Sequence, residues 1–274
     1  MVAPPRRPLV TAGLAIGLAV TAARDARAHH TEEQRLTDDT AHTLQKSTVR
    51  LGLFKQQWGP WDRITFGTYA VPWVVGFANA HVKWRYFGGD PLSLSASLGL
   101  SRFAPKAVKE SVGSAELGIV PLELGASYRF DERLTLSGGL LYTVVTLKGS
   151  YDAAALDGLA AVSNLQLFAN LEVRATRVTA FVLAGRYLAF QNTSGRLSAT
   201  FRPDAFTSVE VQSVGATNAL DFPQAFSIVP SVVFSWGTFN LRAGLGYGNY
   251  SVPMVNLVLP KKTVVPDLDL YFVF

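Results

Sequence analysis

Strict alternation of polar and apolar residues is the feature that most constrains this chain. In LSLSASLGL, residues 92–100, leucine or alanine occupies every second position, and serine or glycine fills the others. Residues 79–86 and 162–174 repeat the pattern, with charged and amide side chains in the polar positions. Successive side chains of a β-strand point to opposite faces, so this alternation predicts strands with one apolar and one polar face.

Composition excludes several other classes of protein. The chain is 49% hydrophobic and 16% charged, yet it has no apolar run of the roughly 18 residues that a membrane helix needs. It has no cysteine, which excludes disulfides and thiolate metal sites. No zinc, phosphate-loop or calcium-loop motif is visible, so we expect neither a metal nor a cofactor.

The first 28 residues have the organisation of a secretory signal peptide. Arg6 and Arg7 precede an apolar run, residues 9–23, and Ala26-Arg27-Ala28 fits a cleavage site. Residues 1–28 hold four of the 25 basic and one of the 20 acidic residues, so the remainder carries a net charge of +2. We therefore expect no nucleic-acid partner.

The spacing of the strands separates a membrane barrel from a soluble sandwich. Short connections are predicted at 87–91, 130–133, 176–177 and 237–238, and they alternate with long ones at 104–114, 148–161, 191–222 and 250–264. Short periplasmic turns and long extracellular loops are typical of outer-membrane barrels. The short turns also join apolar face to apolar face, since they would pair Trp236 with Phe239, Tyr128 with Leu136 and Val173 with Ala180.

The chain ends on DLDLYFVF, an alternating strand whose last residue is aromatic. It resembles the carboxy-terminal assembly signal of bacterial outer-membrane β-barrel proteins, which Leu268, Leu270, Phe272 and Phe274 match. The resemblance implies insertion into the outer membrane of a Gram-negative bacterium by the barrel-assembly machinery. We therefore predict an all-β, transmembrane, antiparallel up-and-down barrel over 47–274, preceded by the signal peptide at 1–28. Residues 29–46 are interpreted as a periplasmic lead-in or a first-strand segment.

The number of strands is predicted as twelve, with ten as the alternative. A further arm at 47–55, in a hairpin around Gly59 and Pro60, makes eleven. Bacterial single-chain barrels have even numbers, so either an earlier segment completes twelve or this arm lies in the lumen. The ten strands counted back from the end are 62–70, 79–86, 92–103, 115–130, 134–147, 162–175, 178–190, 224–236, 238–250 and 265–274.

Two turn segments carry a further resemblance. WGPWDRITFG and FDERLTLSGG are similar to repeats of uncharacterised proteobacterial barrels grouped near hydrophobic-compound transporters. The resemblance implies passage of small apolar molecules. The apolar connection at 71–78, predicted to be extracellular, would either capture such a ligand or pack at the outer edge of the bilayer.

The predicted function is a narrow channel or transporter for small, including apolar, solutes. Opposite charges in a narrow lumen favour a salt-bridged filling over an ion-selective path. One alternative is a structural or surface-interaction barrel that works through residues 191–222. The residues predicted to line the lumen are Asn79, His81, Lys83, Arg85, Glu123, Arg129, Glu172, Arg174, Arg242, Asp267 and Asp269.

An outer-membrane lipid hydrolase is the second alternative. A five-residue turn at 87–91 would place His81 opposite Ser97, which is the minimum for nucleophilic catalysis. No carboxylate is clearly placed behind His81, so we expect that the protein is not an enzyme.

Two arginines occupy positions predicted to face lipid. Arg102 follows Leu98 and Leu100 in phase, and Arg186 follows Val182 and Ala184. Both come late in their upward strands, where a guanidinium would meet phosphate groups. The sequence therefore predicts that both arginines contact outer-membrane lipopolysaccharide, unless a bulge turns one of them inward.

Overall fold

A computed structural model describes residues 36–74, 76–103, 114–151, 156–204, 207–215, 225–248 and 262–274. These residues form β-strands and one short helix, α1, at Ala70–Val74. The strands are β1 Thr48–Gly52, β2 Lys55–Trp61, β3 Ile64–Tyr69, β4 Phe77–Gly88, β5 Leu92–Phe103, β6 Ser114–Arg129, β7 Leu134–Tyr151, β8 Leu156–Arg174, β9 Thr179–Asp204, β10 Thr207–Gly215, β11 Phe226–Trp236, β12 Phe239–Gly248 and β13 Thr263–Val273.

The strands close into a twelve-stranded antiparallel barrel. Each of β1 to β9 pairs with the next, β9 pairs with β11, and β13 returns to β1. The remaining strand, β10, pairs with the far half of β9 and is not part of the ring. The prediction of twelve strands is confirmed. In the part of the chain that the structure describes, no helix has the length and apolar character needed to cross a membrane.

The first hairpin, β1–β2, supplies the two strands that make the barrel twelve-stranded rather than ten-stranded. The turn predicted at Gly59 and Pro60 is wrong, because both residues lie within β2. The chain instead turns at 53–54 and again at 62–63. The β2–β3 register shifts between Trp58 and Trp61, and such irregularities accommodate a proline within a strand.

The barrel is polar inside and apolar outside. Exposed side chains include Leu98, Leu100 and Leu122 on the outer face, while Ser95 and Ser127 are buried on the inner face. This arrangement follows from the alternation and is the reverse of a soluble core.

Five tight connections lie together at one end, which we call the turn end. They are 62–63, 89–91, 130–133, 175–178 and 237–238. A sixth, the β1–β2 turn at 53–54, lies at the other end of its two strands. The longer connections lie at the opposite loop end, where two predicted loops prove to be partly strand. β7 and β8 extend to Tyr151 and from Leu156, and β9 and β10 occupy much of 191–222.

One turn differs from the prediction in a way that reverses a strand. Trp236–Phe239 and Tyr128–Leu136 pair as expected, but Val173 pairs with Phe181 rather than Ala180. The β8–β9 turn is longer than two residues, with the amide of Ala175 donating to the carbonyl of Thr179 at 3.0 Å. A slip of one residue exchanges the two faces.

The reversal shows in the side chains of β9. Phe181, Leu183 and Tyr187 are exposed on the outside, and Val182 and Ala184 are buried inside. Arg186 has the same phase as Val182 and Ala184, so it also points inward.

Candidate functional site: a lumen closed by residues 36–46

Residues 36–46, here called the plug, lie inside the barrel. Leu36 packs against Ala180, Val182 and Val233, and these four residues form a small buried apolar cluster. The described part of 29–46 thus lies inside the barrel and forms no strand. The predicted boundaries of the signal peptide and of the segment that follows it stay predictions.

The plug rises from the turn end to an apex and returns. The apex is at 38–39, where Asp39 adopts a φ of 53° and the hydroxyl of Thr40 donates to the carbonyl of Leu36 at 2.6 Å. At the other end, the amide of Lys46 donates to Asp62 at 2.9 Å, beside the β2–β3 turn. The plug therefore occupies part of the turn-end half of the lumen.

Ion pairs hold the apex to the barrel wall. Asp38 contacts Arg50 on β1 and Lys55 on β2, each at 2.7 Å, and Asp39 contacts Arg186 on β9 at 2.6 Å. Arg50 and Lys55 lie on neighbouring strands, and Arg186 lies on β9, four strands from β1 around the ring. The two carboxylates therefore tie the plug to two separate parts of the wall.

The same cations keep the two carboxylates ionised. Burial alone would raise the pKa of Asp38, but Arg50 and Lys55 outweigh it and hold that pKa well below its usual range. Burial and the neighbouring Asp38 also act to raise the pKa of Asp39, and Arg186 reverses the balance to leave it lowered.

Lys83 on β4 binds the backbone of the plug. Its Nζ donates to the carbonyl oxygens of Thr37 and Thr40, both at 2.8 Å, and lies 3.6 Å from Glu123 Oε1. The side chain of Lys83 is buried. An ammonium with its donors directed at two carbonyls and a carboxylate is a stable way to bury a lysine.

Hydroxyl groups of the inner face accept hydrogen bonds from backbone amides of the plug. The amide of Ala41 donates to Ser127 Oγ at 2.7 Å, and the amide of Leu44 donates to Thr65 Oγ1 at 2.8 Å. The plug has no regular secondary structure, so its buried amides need such acceptors. The polar face of the alternation thereby serves as a binding surface for the chain's own N-terminal segment.

The plug separates two cavities. The larger, here called the vestibule, has a volume of about 530 Å³ on the loop-end side of the apex and is lined by residues such as Asp39, Lys55, His81 and Glu123. A cavity of about 270 Å³ lies at the turn end, against His42 and Arg174. The lumen is therefore hollow on both sides of a closed middle.

The predicted lumen residues lie on the inner phase of their strands, and their part in a solute path stays a prediction. Several are engaged in ion pairs. Arg174 contacts Glu172 at 2.8 Å, and Arg242 contacts Asp267 at 2.7 Å. Asp269 contacts Arg50 at 2.7 Å. The remaining predicted residues are Asn79, His81, Lys83, Arg85, Glu123 and Arg129, which line the vestibule or the turn-end cavity.

The most connected residues of the site are absent from the predicted lumen residues. They are Asp38, Asp39, Arg50 and Lys55. The signal that could have found them is the adjacent pair of acids just before the first strand, together with cations on the inner phase of the first hairpin.

The predicted neighbourhood of His81 and Ser97 is wrong. His81 lies opposite Gly99, and Ser97 lies opposite Lys83. The β4–β5 turn is shorter than the expected five residues, because Gly88 lies opposite Ser93 and the amide of Gly89 donates to the carbonyl of Leu92 at 3.0 Å. The residue opposite His81 is therefore displaced by two positions, from Ser97 to Gly99. Among the described residues, no group of three or more His, Cys, Asp or Glu side chains could hold a metal ion.

The two arginines predicted to contact lipopolysaccharide differ. Arg102 is 63% exposed on the outer face and forms an ion pair with Glu116 at 2.9 Å. Arg186 points inward to Asp39, so the lipopolysaccharide contact predicted for it is wrong. The cause is the reversed phase of β9 rather than a bulge at this residue.

The carboxy-terminal residues complete the wall. Phe274 exchanges backbone hydrogen bonds with Val49, at 2.9 and 3.0 Å, which joins the last strand to the first. Leu268, Leu270, Phe272 and Phe274 are all exposed on the outer face. Their recognition by an assembly machinery stays a prediction.

No family model and no curated protein matches this chain. Among solved structures, the CymD monoaromatic hydrocarbon channel is similar over 83% of this chain and 86% of its own, with 10% identity and a TM-score of 0.33. A similarity this low does not identify a function.

Proposed function

We propose that the protein is an outer-membrane barrel that passes small solutes through its lumen, with the plug as the gate. The observation that carries the proposal is a hollow polar lumen closed at its middle by a segment held through side-chain contacts. Those contacts can be broken without disrupting a strand, because the plug contributes no strand pairing to the ring.

The outer surface supports a membrane location. Large apolar side chains are exposed on every part of the ring, for example Leu51, Leu122, Leu183 and Leu245. A continuous apolar surface of this extent would drive association in water, whereas it matches the hydrocarbon band around a membrane barrel.

The chemistry of the lumen favours small solutes without a strong charge preference. The vestibule volume of about 530 Å³ lies within the usual range for small-molecule pockets. Its cations Lys55, Lys83, Arg186 and Arg242 are all paired with carboxylates, and Phe54 and Leu141 add apolar wall. A charged solute would compete with one partner of these ion pairs, whereas neutral solutes, including apolar ones, would not.

Conductance of the purified protein in planar lipid bilayers tests the proposal. Wild-type protein should be mostly closed, and the Asp38→Asn/Asp39→Asn double variant should open far more often because three cations of the wall lose their ionic contact with the plug. Glu132→Gln, an exposed change in the β6–β7 turn, is the control and should behave as wild type. Silence of the double variant, in a protein shown to be folded and inserted, would contradict the proposed channel.

One observation favours a second candidate, a surface-interaction barrel. β8 and β9 continue past the ring, and residues 195–204 of β9 pair with β10. This extension at the loop end offers a platform for a partner. Replacing residues 193–213 by a short turn should leave conductance unchanged if the protein is a channel, and should abolish surface binding if it is not.

A lipid hydrolase has little support, because Lys83 rather than His81 faces Ser97. We expect no enzymatic activity. Labelling of Ser97 by a serine-hydrolase inhibitor probe would contradict this expectation.

A further inference from the structure

The barrel wall is uneven in height. β1, β2 and β3 have only 5, 7 and 6 residues, whereas β4 and β13, which flank them, have 12 and 11. Each of these strands has one end near the turn end. The short strands therefore leave a low section of wall beside the loop-end half of β13.

β13 loses its neighbour on this side above Leu270. The last backbone hydrogen bond on this side, among the described residues, runs from the amide of Leu53, just after β1, to the carbonyl of Leu270, at 2.9 Å. Pairing with β12 continues as far as Thr263. Among the described residues, the upper half of β13 therefore pairs on one side only.

The direction of the backbone groups shows which residues are left unpaired. The amide of Val273 donates toward β12, and that of Phe274 donates toward β1. Directions alternate along a strand, so Leu268, Pro266 and Val264 point their backbone groups toward the low section. Proline has no N–H, and its place on this side removes one donor from the open edge.

The vestibule reaches this open edge. It is lined by the four consecutive residues 266–269 of β13 and by Phe54 in the β1–β2 turn. Unpaired strand edges are not found facing lipid, but they are tolerated where they line a water-filled cavity. The open edge thus marks the place where a hydrated cavity meets the outer surface.

The opening lies at membrane depth. Leu268 and Val264 are six and ten residues from Phe274, which places them roughly 15 and 25 Å above the turn end for a tilted strand. An apolar band is about 25 Å tall. The opening therefore faces the half of the band nearer the loop end, which is the outer leaflet if the turns are periplasmic.

We infer that the gap between residues 264–268 of β13 and the β1–β2 turn at 53–54 is a lateral portal. It lets small neutral amphiphiles pass between the vestibule and the membrane. Phe54, Leu268 and Val264 are exposed apolar residues at its rim, and they suit an apolar body. The free carbonyl and amide groups of the edge suit one hydroxyl or carbonyl on the solute.

The inference rests on the proposed membrane location but not on conduction through the plug. A barrel whose plug never opens can still exchange solutes between the vestibule and lipid. A barrel that conducts ions along its axis can equally have a sealed wall. The two proposals therefore fail separately.

Fluorescence quenching from the lipid phase tests the portal. The chain has no cysteine, so Ser101→Cys, inside the vestibule, can carry a single bimane fluorophore. The quencher is phosphatidylcholine with a doxyl group midway along its acyl chain, in vesicles that contain the protein. Leu98→Cys, on the outer face, and Thr135→Cys, buried in the turn-end half of the lumen, give the two reference levels.

A portal should let the quencher reach the Ser101 probe to about half the extent seen at Leu98, since acyl chains would enter the opening. The Thr135 probe should stay unquenched. If the Ser101 probe is no more quenched than the Thr135 probe, the wall is closed and the inference is overturned.

Rim variants locate the route. Leu268→Arg should lower quenching of the Ser101 probe about threefold, because a charge at the rim disfavours acyl chains. Leu122→Arg is the matched control, at a similar height on the outer face of β6, and should leave quenching unchanged. Val264→Arg, nearer the interface, gives a second rim variant if Leu268→Arg does not insert. Equal quenching in the rim and control variants would overturn this location.

Neutral and cationic nitroxides test the solute class. TEMPO, a small neutral nitroxide, should quench the Ser101 probe from the lipid phase with the same dependence on Leu268. TEMPO-choline, its cationic relative, should not quench this probe from the lipid phase. Loss of quenching on Leu268→Arg for both nitroxides would contradict the preference for neutral solutes.

Discussion

Replacing Lys83 by methionine should release the plug while leaving the strands in place. The change keeps the unbranched body of the side chain but removes the ammonium that donates to the carbonyls of Thr37 and Thr40. It also leaves Glu123 without its cation at 3.6 Å. No strand-to-strand hydrogen bond is lost, because only the side chain of residue 83 changes.

The magnitude follows from the two lost hydrogen bonds. Each bond from a charged donor is worth about 1.5 to 3 kcal/mol, but water from the adjacent vestibule can reach the freed carbonyls and recover part of it. We take a net loss in plug docking of about 2 to 3 kcal/mol. The population of the undocked plug should then rise roughly 30- to 150-fold.

The reaction rate of a cysteine placed in the plug measures that population. Ala41 is 0% exposed and the chain has no other cysteine, so Ala41→Cys reacts with an impermeant maleimide only when the plug undocks. The labelling rate of the introduced thiol should rise by the same factor when Lys83→Met is added to Ala41→Cys. Lys46→Met, an exposed change within the plug, is the control.

Two outcomes separate the plug from the wall. The Glu123→Gln/Lys83→Met double variant should label about as fast as Lys83→Met, because plug docking depends on the carbonyl bonds rather than on the carboxylate. Heat-modifiable gel mobility should stay at the wild-type level in every variant. A labelling rate within twofold of the parent in Lys83→Met would refute the role assigned to Lys83.

Three further predictions concern pH, assembly and the outer surface. The lowered pKa values of Asp38 and Asp39 give docking that is fully present above the ordinary carboxyl pKa of about 3.9 and is lost as pH falls through the lower, docked values. Bilayer conductance should therefore be flat from about pH 8 to pH 5 and rise only below about pH 4. Deleting Phe274 should leave export intact and impair insertion; heat-modifiable mobility at the wild-type level would contradict that. Arg102→Gln should lower thermal stability more in lipopolysaccharide-containing membranes than in neutral detergent, and an equal loss in both would exclude the phosphate contact.

The strands could be predicted because each has an apolar face on the outside of the barrel and a polar face on the inside. The alternation predicts β5 at 92–103, and the strand lies at Leu92–Phe103. It predicts β11 from residue 224, and the strand begins two residues later, at Phe226. A register error in such a strand would expose its polar face to the apolar side, so the pattern determines the phase.

The prediction of the β8–β9 turn is wrong because residues 178–184 show little alternation of polar and apolar side chains. Val178, Ala180, Phe181, Val182, Leu183 and Ala184 are all apolar, so either phase presents an apolar outer face. The structure supplies the reason, since Leu36 of the plug packs on Ala180 and Val182. The inner face is apolar at this point because it faces another apolar residue rather than water, and alternation carries no information there.

The plug itself could not be predicted from periodicity, because its sequence, LTDDTAHTLQK, follows neither a period of two nor one of 3.6. Its place is instead determined by charge. Arg50, Lys55, Lys83 and Arg186 all point inward, and burying that many cations is costly unless carboxylates or carbonyls receive them. The wall supplies Glu123 and Asp269, and the plug supplies Asp38, Asp39 and two carbonyls. An inner face with more cations than its own strands can satisfy thus indicates a segment from elsewhere in the chain, and the acids next to the first strand are near enough to provide it.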